Sequence, residues 1–514
     1  MHVPLTLGDF LHRAELVYGE RAAVIDEPSP PGGSLGRISY GELGDMARSL
    51  AVALDELGVA EGARVAIVSP NAARFVIALF GVSVFGRVLV PINFRLKPEE
   101  IRYIVEHAGA TVLLVDAELE ELVRDVPVAH RIVLGEATDA QLFRRAGAAP
   151  RFTVTDEAAP VSINYTSGTT ARPKGVQLSH RSCWLNAVTF GWHAAVTDRD
   201  VYLHTLPTFH CNGWGMPYAL TAMGVRQIII RKIDGAEILR RIETHGVTLL
   251  NGAPAVVAAI LDAAAARRER GEPVPAKGTV RIIVAGAPPP SKTIERVETE
   301  LGWELIQIYG LTETSPLLTI NRAPAEWDEL EPAERARRLS RAGVPAVGVR
   351  LEISPGGELR ARSNHVFDGY YQQPEETEKA IVDGWFYTGD GGHLDGAYAV
   401  ITDRKKDVII TGGENVSSIE VEDCLYQHAA VAEAAVIGIP HEKWGETVLA
   451  CVVLRPGAEA TEQDLIDHCR SQLAHFKCPT KVELRESLPR TATGKLQKFR
   501  LREPYWAGRA RGVN

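Results

Sequence analysis

Residues 161–178 constrain the fold more than any other stretch. Val161 to Tyr165 and Val176 to Leu178 are apolar and read as two strands. Between them runs Thr166-Ser167-Gly168-Thr169-Thr170-Ala171-Arg172-Pro173-Lys174-Gly175, which reads as a loop. Ser167 to Thr170 are four consecutive hydroxyl or glycine positions, able to aim backbone N–H groups and hydroxyls at one anion. Pro173 stiffens the loop and Lys174 adds a mobile positive charge, a combination suited to the phosphates of a nucleotide. The offsets from Gly168 do not fit the G-x-x-x-x-G-K-[ST] loop of P-loop ATPases. A Ser/Thr-rich surface turn has the same composition, so the flanks matter. Ser179 is the expected N-cap of a helix beginning near Arg181.

The first hundred residues supply the architecture around that loop. Leu43, Met46, Ala47, Leu50, Leu54 and Leu57 recur at helical spacing and end at Gly58. Arg64 to Val68, Val88 to Pro91 and Thr111 to Val115 read as buried strands, with a helix at Ala72 to Phe85. Strands alternating with helices imply a mostly parallel sheet covered by helices. At 514 residues and 45% hydrophobic, the chain should form at least two domains.

YTSGTTARPKGVQLSH resembles the phosphate loop of the adenylate-forming enzymes: acyl-CoA synthetases, peptide-synthetase adenylation domains and firefly luciferase. Further segments extend the resemblance along nearly the whole chain. Leu206-Pro-Thr-Phe-His210-Cys-Asn-Gly-Trp214 resembles the motif whose His lies near the acyl carboxylate, and Trp214 stands where fatty acyl-CoA synthetases carry a gate residue. A packed core His and Trp would read identically. Gly286, Ala287 and Pro288 follow the strand beginning at Arg281 and could border a nucleotide base. Tyr309-Gly310-Leu311-Thr312-Glu313-Thr314 resembles the adenine and metal motif. It offers Tyr309 for stacking, Thr312 for the α-phosphate and Glu313 as a hard oxygen ligand. Asp390, at an expected turn after a strand, can accept both ribose hydroxyls. Arg404 resembles the arginine that contacts ribose and phosphate.

The resemblance implies an α/β fold: a large N-terminal domain of parallel-rich sheets covered by helices (1–402), a hinge (403–407) and a small mobile α+β C-terminal domain (408–514). Lys406 would be the hinge residue, Gly412 and Gly413 the turn that meets the pantetheine arm, and Lys495 the lysine bridging carboxylate and α-phosphate. ATP, Mg²⁺ and CoA are the implied cofactors, with Mg²⁺ on Glu313 and Thr166, and His210, Trp214 and Gly310 around the acid. The pattern departs from the family near residues 346–357, where the hairpin before Gly357-Glu358-Leu359 looks shortened.

The implied reaction is AMP-forming acyl-CoA synthesis. The Trp214 motif tilts the acid towards a medium- or long-chain fatty acid, with Trp184, Phe190 and Trp192 as further pocket candidates; aromatic, branched and thioether acids, or an acceptor other than CoA, stay open. A peptide-synthetase adenylation domain would need an acid after the His210 motif, where this chain has Asn212-Gly213-Trp214-Gly215. A luciferase-type oxygenase shares the motifs, whereas a non-catalytic scaffold would be expected to lose Lys495, Glu313 or Asp390.

Net charge is −9, which gives no general field for nucleic acid. From Lys477 to Arg511 there are ten Lys/Arg against three Asp/Glu, a local basic surface that suits ATP and CoA or simply solvent. Six cysteines without a C-x-x-C pair fit reduced thiols and a cytoplasmic setting. No run is long and apolar enough to span a bilayer. Peripheral membrane association and a homodimer are compatible with this reading.

Overall fold

The computed structural model describes residues 2–145, 147–166, 173–404, 407–411, 414–491 and 496–507; of Arg404 only the backbone is described. Among these, the strands form four sheets. A seven-stranded sheet carries Pro160–Thr166 at the junction between parallel strands (Val88–Ile92, Arg64–Val68, Ala110–Asp116, His130–Leu134) and the antiparallel Lys174–Ser179. A nine-stranded sheet is parallel through Arg226–Ile229, Val201–His204, Leu249–Gly252, Arg281–Val284 and Glu304–Gly310, then turns antiparallel at Leu317–Asn321. The expected parallel-rich α/β architecture is the observed one.

Local chemistry explains the elements that set this frame. Helix Tyr40–Glu56 opens with a capping box, Ser39 Oγ accepting from Glu42 N and Glu42 Oε2 accepting from Ser39 N. Its Leu43, Ala47, Leu50 and Leu54 are fully buried against helix Ala73–Ser83, every residue of which is buried. The two helices approach so closely that a Cβ on Gly81 would lie 2.9 Å from the Ala47 carbonyl oxygen. A helix buried on all sides tolerates the near-continuous apolar run that the sequence supplies there.

Helix His180–His193 starts one residue before the expected Arg181, because Ser179 caps it through Ser182 N. His180 is therefore drawn into the core, where its Nδ1 accepts from Leu7 N at 3.2 Å. His204 is likewise buried, bonded to Gln227 at 2.9 Å. Burial pushes both imidazoles from 6.5 to about 4. Between those values the unfolded chain binds protons that the folded chain refuses, so stability falls as pH drops from about 6.5 to about 4. Each histidine contributes a slope of at most about 1.4 kcal/mol per pH unit. Asp368, which burial raises to about 6, and Glu422, which burial also raises, work in the opposite sense. Against them, burial lowers His107, His193, His245, His365 and His428 along with these two imidazoles. The expected result is a falling Tm from pH 6.5 to 4.5, with a shallower fall in His204→Gln. A Tm that is flat or rises as pH drops would refute it.

A third sheet pairs Arg350–Ile353 with Glu358–Arg362, and continues through Trp385–Asp395 to Tyr398–Arg404. The segment that departs from the family pattern is thus a regular antiparallel hairpin, Ile353 opposite Leu359, turning at Pro355–Gly357. Asp403 and Arg404, the first two residues of the expected hinge, are held in this sheet opposite Gly391 and Asp390. Lys405 and Lys406 lie outside the described residues. Beyond them, Ile409–Thr411, Glu414–Val416, Val431–His441, Gly445–Leu454 and Lys481–Leu484 build a separate sheet with its own core. This part meets the larger one where Ser291 N and Oγ donate to Asp423 Oδ1, at 2.8 and 3.0 Å, and where Ser418 N donates to Asp403.

Candidate active site

The strands on either side of the phosphate-loop candidate, Pro160–Thr166 and Lys174–Ser179, pair antiparallel. Thr166 and Lys174 face each other across the antiparallel pair, so the ends of the intervening segment are pinned by the sheet. Ser167, Gly168, Thr169 and Thr170 lie outside the described residues. Tyr165 and Pro173 are held from the helix beneath: His107 Nδ1 bonds the Tyr165 hydroxyl at 2.7 Å, and the Tyr103 hydroxyl lies 3.5 Å from the Pro173 carbonyl.

Lys174, expected as a positive charge for the phosphates, has partners of its own. Its Nζ lies 2.5 Å from Glu376, on helix Pro374–Ala380, and 4.8 Å from the centre of the Tyr370 ring. Tyr370 is placed there by the short strand Gly369–Tyr370, which pairs with Val176 and Gln177 at the edge of the same hairpin. Its hydroxyl reaches Glu313 Oε1 at 2.9 Å. Burial and the Glu313 carboxylate push the Tyr370 phenol up, so it stays protonated and donates. Glu313, Tyr370 and Lys174 thereby form one contiguous line. Glu313 and Tyr370 line a cleft of about 500 Å³ together with Leu311, Phe386 and Thr388.

Glu313 sits in the turn Thr312–Thr314 after strand Glu304–Gly310. Gly286, Ala287 and Pro288 are exposed beyond the end of the neighbouring parallel strand Arg281–Val284, so both segments follow the carboxyl ends of adjacent parallel strands. Asp390 corrects the sequence reading. It lies within the long strand Trp385–Asp395 rather than at a turn after it, because Gly391 to Asp395 continue the pairing with Tyr398–Asp403. Asp390 is buried and its Oδ2 accepts from the Tyr309 hydroxyl at 2.8 Å, which joins the adenine and ribose candidates. The Arg404 backbone is its cross-strand neighbour.

His210 is half-buried and precedes a turn with an unusual backbone. Cys211, Asn212, Gly213, Trp214 and Gly215 all have positive φ, between 46° and 73°. Trp214 is buried in the main core at 4% exposure. Phe190 is also in that core, whereas Trp184 stacks on Phe10 at 5.6 Å and Trp192 is 70% exposed. Trp192 therefore lines no interior pocket; the helix turns it outward. Gly412, Gly413 and Lys495 lie outside the described residues.

Sequence reasoning missed Tyr370 and Glu376. Each meets its partner across 57 or 202 residues of chain, and nothing local to either marks it. Among the described residues no group of three or more His, Cys, Asp or Glu could hold a metal. A single carboxylate such as Glu313 still fits Mg²⁺, which binds through one or two protein oxygens and completes its shell with water and phosphate.

The AMP-binding enzyme family matches residues 11–371, and the AMP-binding enzyme C-terminal domain matches 420–495. The chain is 36% identical to a 2-methylpropanoate–CoA ligase of Humulus lupulus, over 97% of this chain and 95% of the relative. It is 36% identical to a peroxisomal butyrate–CoA ligase of Arabidopsis thaliana, over 98% and 93%. The solved structure of an anthranilate–CoA ligase with anthranoyl-AMP superposes with TM-score 0.87 at 25% identity, over 98% of each chain. With both domain matches in chain order and this fold beneath them, the chain belongs to the AMP-binding enzyme family, as an acid–thiol ligase of the AMP-forming class.

Proposed function

We propose that the protein converts a short aliphatic carboxylic acid to its CoA thioester through an acyl-adenylate. The line Glu313–Tyr370–Lys174 at the foot of the phosphate-loop hairpin carries the reading. In the first step a carboxylate oxygen attacks the α-phosphorus of ATP, the bond to the β-phosphate oxygen breaks and pyrophosphate leaves. In the second the CoA sulfur attacks the acyl carbon, its proton passes to solvent and AMP leaves. Two anions meet in the first step, so the site must neutralise charge. Lys174 and the segment Ser167–Thr170 receive the phosphates, Thr312 the α-phosphate, and Lys495 bridges carboxylate and phosphate. Glu313 and Thr166 would hold Mg²⁺, which when bound would supply further charge neutralisation. Tyr309 with Gly286, Ala287 and Pro288 borders the base; Asp390 and Arg404 take the ribose. His210 and Gly310 flank the acid. Rotation about Lys406, between a larger domain ending near 402 and a smaller one from 408, brings Gly412 and Gly413 to the thiol step.

Relatives named for four-carbon acids, together with the packed Trp214, support a short acid. A medium- or long-chain fatty acid, the reading suggested by the gate position, requires the Trp214 indole to leave the core. CoA-dependent AMP formation across two- to sixteen-carbon acids, branched acids and benzoate tests this. Highest kcat/KM at three to five carbons is expected; a maximum at eight or more would overturn the chain length, and AMP formation indifferent to CoA would overturn the acceptor.

ATP must compete with Glu376 for Lys174. Half-exposed ion pairs of this kind contribute about 0.2–1 kcal/mol, equivalent to about 1.5- to 5-fold in affinity. Glu376→Gln is therefore expected to lower the KM for ATP by that factor, and an unchanged or raised KM would refute the competition.

A further inference from the structure

Three buried polar side chains that the proposed chemistry does not use bond to one another. Ser162, Asn164 and Asn212 are all at most 2% exposed. Ser162 Oγ donates to Asn164 Oδ1 at 2.8 Å, Asn164 Nδ2 to Asn212 Oδ1 at 3.2 Å, and Asn212 Nδ2 to Ser162 Oγ at 2.9 Å. The three bonds run head to tail and close a ring. Buried networks of this sort are costly when one member is lost, because the others are left unpaired without water to replace it.

The ring joins two segments that lie far apart in sequence. Ser162 and Asn164 lie on the strand that ends at Thr166, the threshold of the phosphate loop. Asn212 is the second residue of the left-handed turn Cys211–Gly215 that follows His210. L-residues avoid this conformation, and three non-glycine residues hold it here, so the surroundings must enforce it. Asparagine is among the few side chains that tolerate it. A second buried amide clamps the far end of the same turn: Asn186 Nδ2 donates to the Trp214 carbonyl at 3.2 Å and its Oδ1 accepts from Leu317 N at 3.1 Å. Leu317 begins the strand after the Thr312–Thr314 turn, and Cys211 Sγ lies 4.0 Å from the Thr312 carbonyl oxygen. The turn is thus tied by side chains to both nucleotide-side segments.

We propose that Asn212 is a positioning residue for adenylation: its amide, through the Ser162–Asn164–Asn212 ring, sets the acid-side turn at a fixed distance from the phosphate-loop strand, so that carboxylate and α-phosphate meet in line. The inference rests on the acyl-adenylation reading above. The amide and the backbone roles separate by substitution, since glycine accepts positive φ but has no amide. Asn212→Gly therefore keeps the turn and opens the ring, while Ser162→Ala opens it from the strand side and leaves the turn's sequence intact.

The test compares purified full-length wild type, Asn212→Gly and Ser162→Ala in acid-dependent ATP–pyrophosphate exchange and in CoA-dependent AMP formation, with Tm measured alongside. A misplacement of about 1 Å at reacting atoms costs about a hundredfold. The expected result is a fall of about ten- to a hundredfold in the exchange kcat for Asn212→Gly and a smaller fall for Ser162→Ala. The KM for CoA should stay within twofold. Exchange at the wild-type rate in a folded variant would overturn the proposal, as would a loss that disappears when the assay is cooled below the variant's lowered Tm. If Asn212→Gly does not fold, the same criteria apply to Ser162→Ala. Wild-type exchange with some acid tests the functional reading by itself; only the ratio of variant to wild type tests the ring.

Discussion

Glu313→Gln is expected to lower acid-dependent ATP–pyrophosphate exchange by about 10²- to 10³-fold, the loss typical when one preorganised electrostatic group is removed from a transition state. Glutamine keeps the length of the side chain and an oxygen that Tyr370 can still reach, so the variant removes charge and little else. Glu313 is 9% exposed and has the Tyr370 hydroxyl at 2.9 Å, which fixes its rotamer before any nucleotide arrives. Tyr370→Phe removes that tether and keeps the ring under Lys174, and should cost about tenfold, nearer the value of a single hydrogen bond to a charged group. The Mg²⁺ concentration giving half-maximal rate should rise in Glu313→Gln. Exchange within threefold of wild type in Glu313→Gln would remove Glu313 from the chemistry, and a Tyr370→Phe loss larger than that of Glu313→Gln would reverse the assigned order.

Local patterns made the scaffold readable. The strands at Arg64, Val88 and Thr111, the helix capped by Ser179 and the hairpin around Thr166 and Lys174 all follow from apolar spacing and turn chemistry, which depend on near neighbours in sequence. Family motifs single out Tyr309, Glu313 and Asp390, and the Tyr309–Asp390 bond at 2.8 Å joins two of them. What escaped was set by long-range packing. The glycines around Asp390 (Gly389, Gly391 and Gly392) suit a turn, yet the partner strand Tyr398–Arg404 carries the pairing through this stretch. Glu376, the partner of Lys174, is 202 residues away. Trp192 looked like a pocket residue because it is aromatic and near Phe190 in sequence; two residues along a helix is a rotation of about 200°, enough to turn one to the core and the other to solvent. The left-handed run at Cys211–Gly215 has no composition that announces it beyond Asn212 and two glycines.

Gly310→Ala should damage both stability and activity, and it tests whether the Thr312–Glu313 turn depends on the close backbone approach beneath it. A Cβ at Gly310 would stand 1.6 Å from the Pro316 carbonyl oxygen and 2.7 Å from its carbon. Those are backbone atoms, so no rotamer change can relieve the clash. Either strand Glu304–Gly310 or strand Leu317–Asn321 must shift, and the turn bearing Glu313 is the connection between them. Overpacking in cores costs about 1–3 kcal/mol when side chains can yield, so about 3 kcal/mol or more is expected here. The comparison is Gly246→Ala, where φ is +65° and nothing lies within 4 Å of an added Cβ. That variant meets only the left-handed penalty of about 1–2 kcal/mol and should retain wild-type kcat. Gly310→Ala should instead lose at least about a hundredfold in exchange even at temperatures where it remains folded, because misplacing Glu313 and Thr312 by about 1 Å is enough. Equal behaviour of the two variants would show that the pair of strands can slide without disturbing the site. Glu313 would then owe its position to Tyr370 and the hairpin edge, rather than to the strand that carries it.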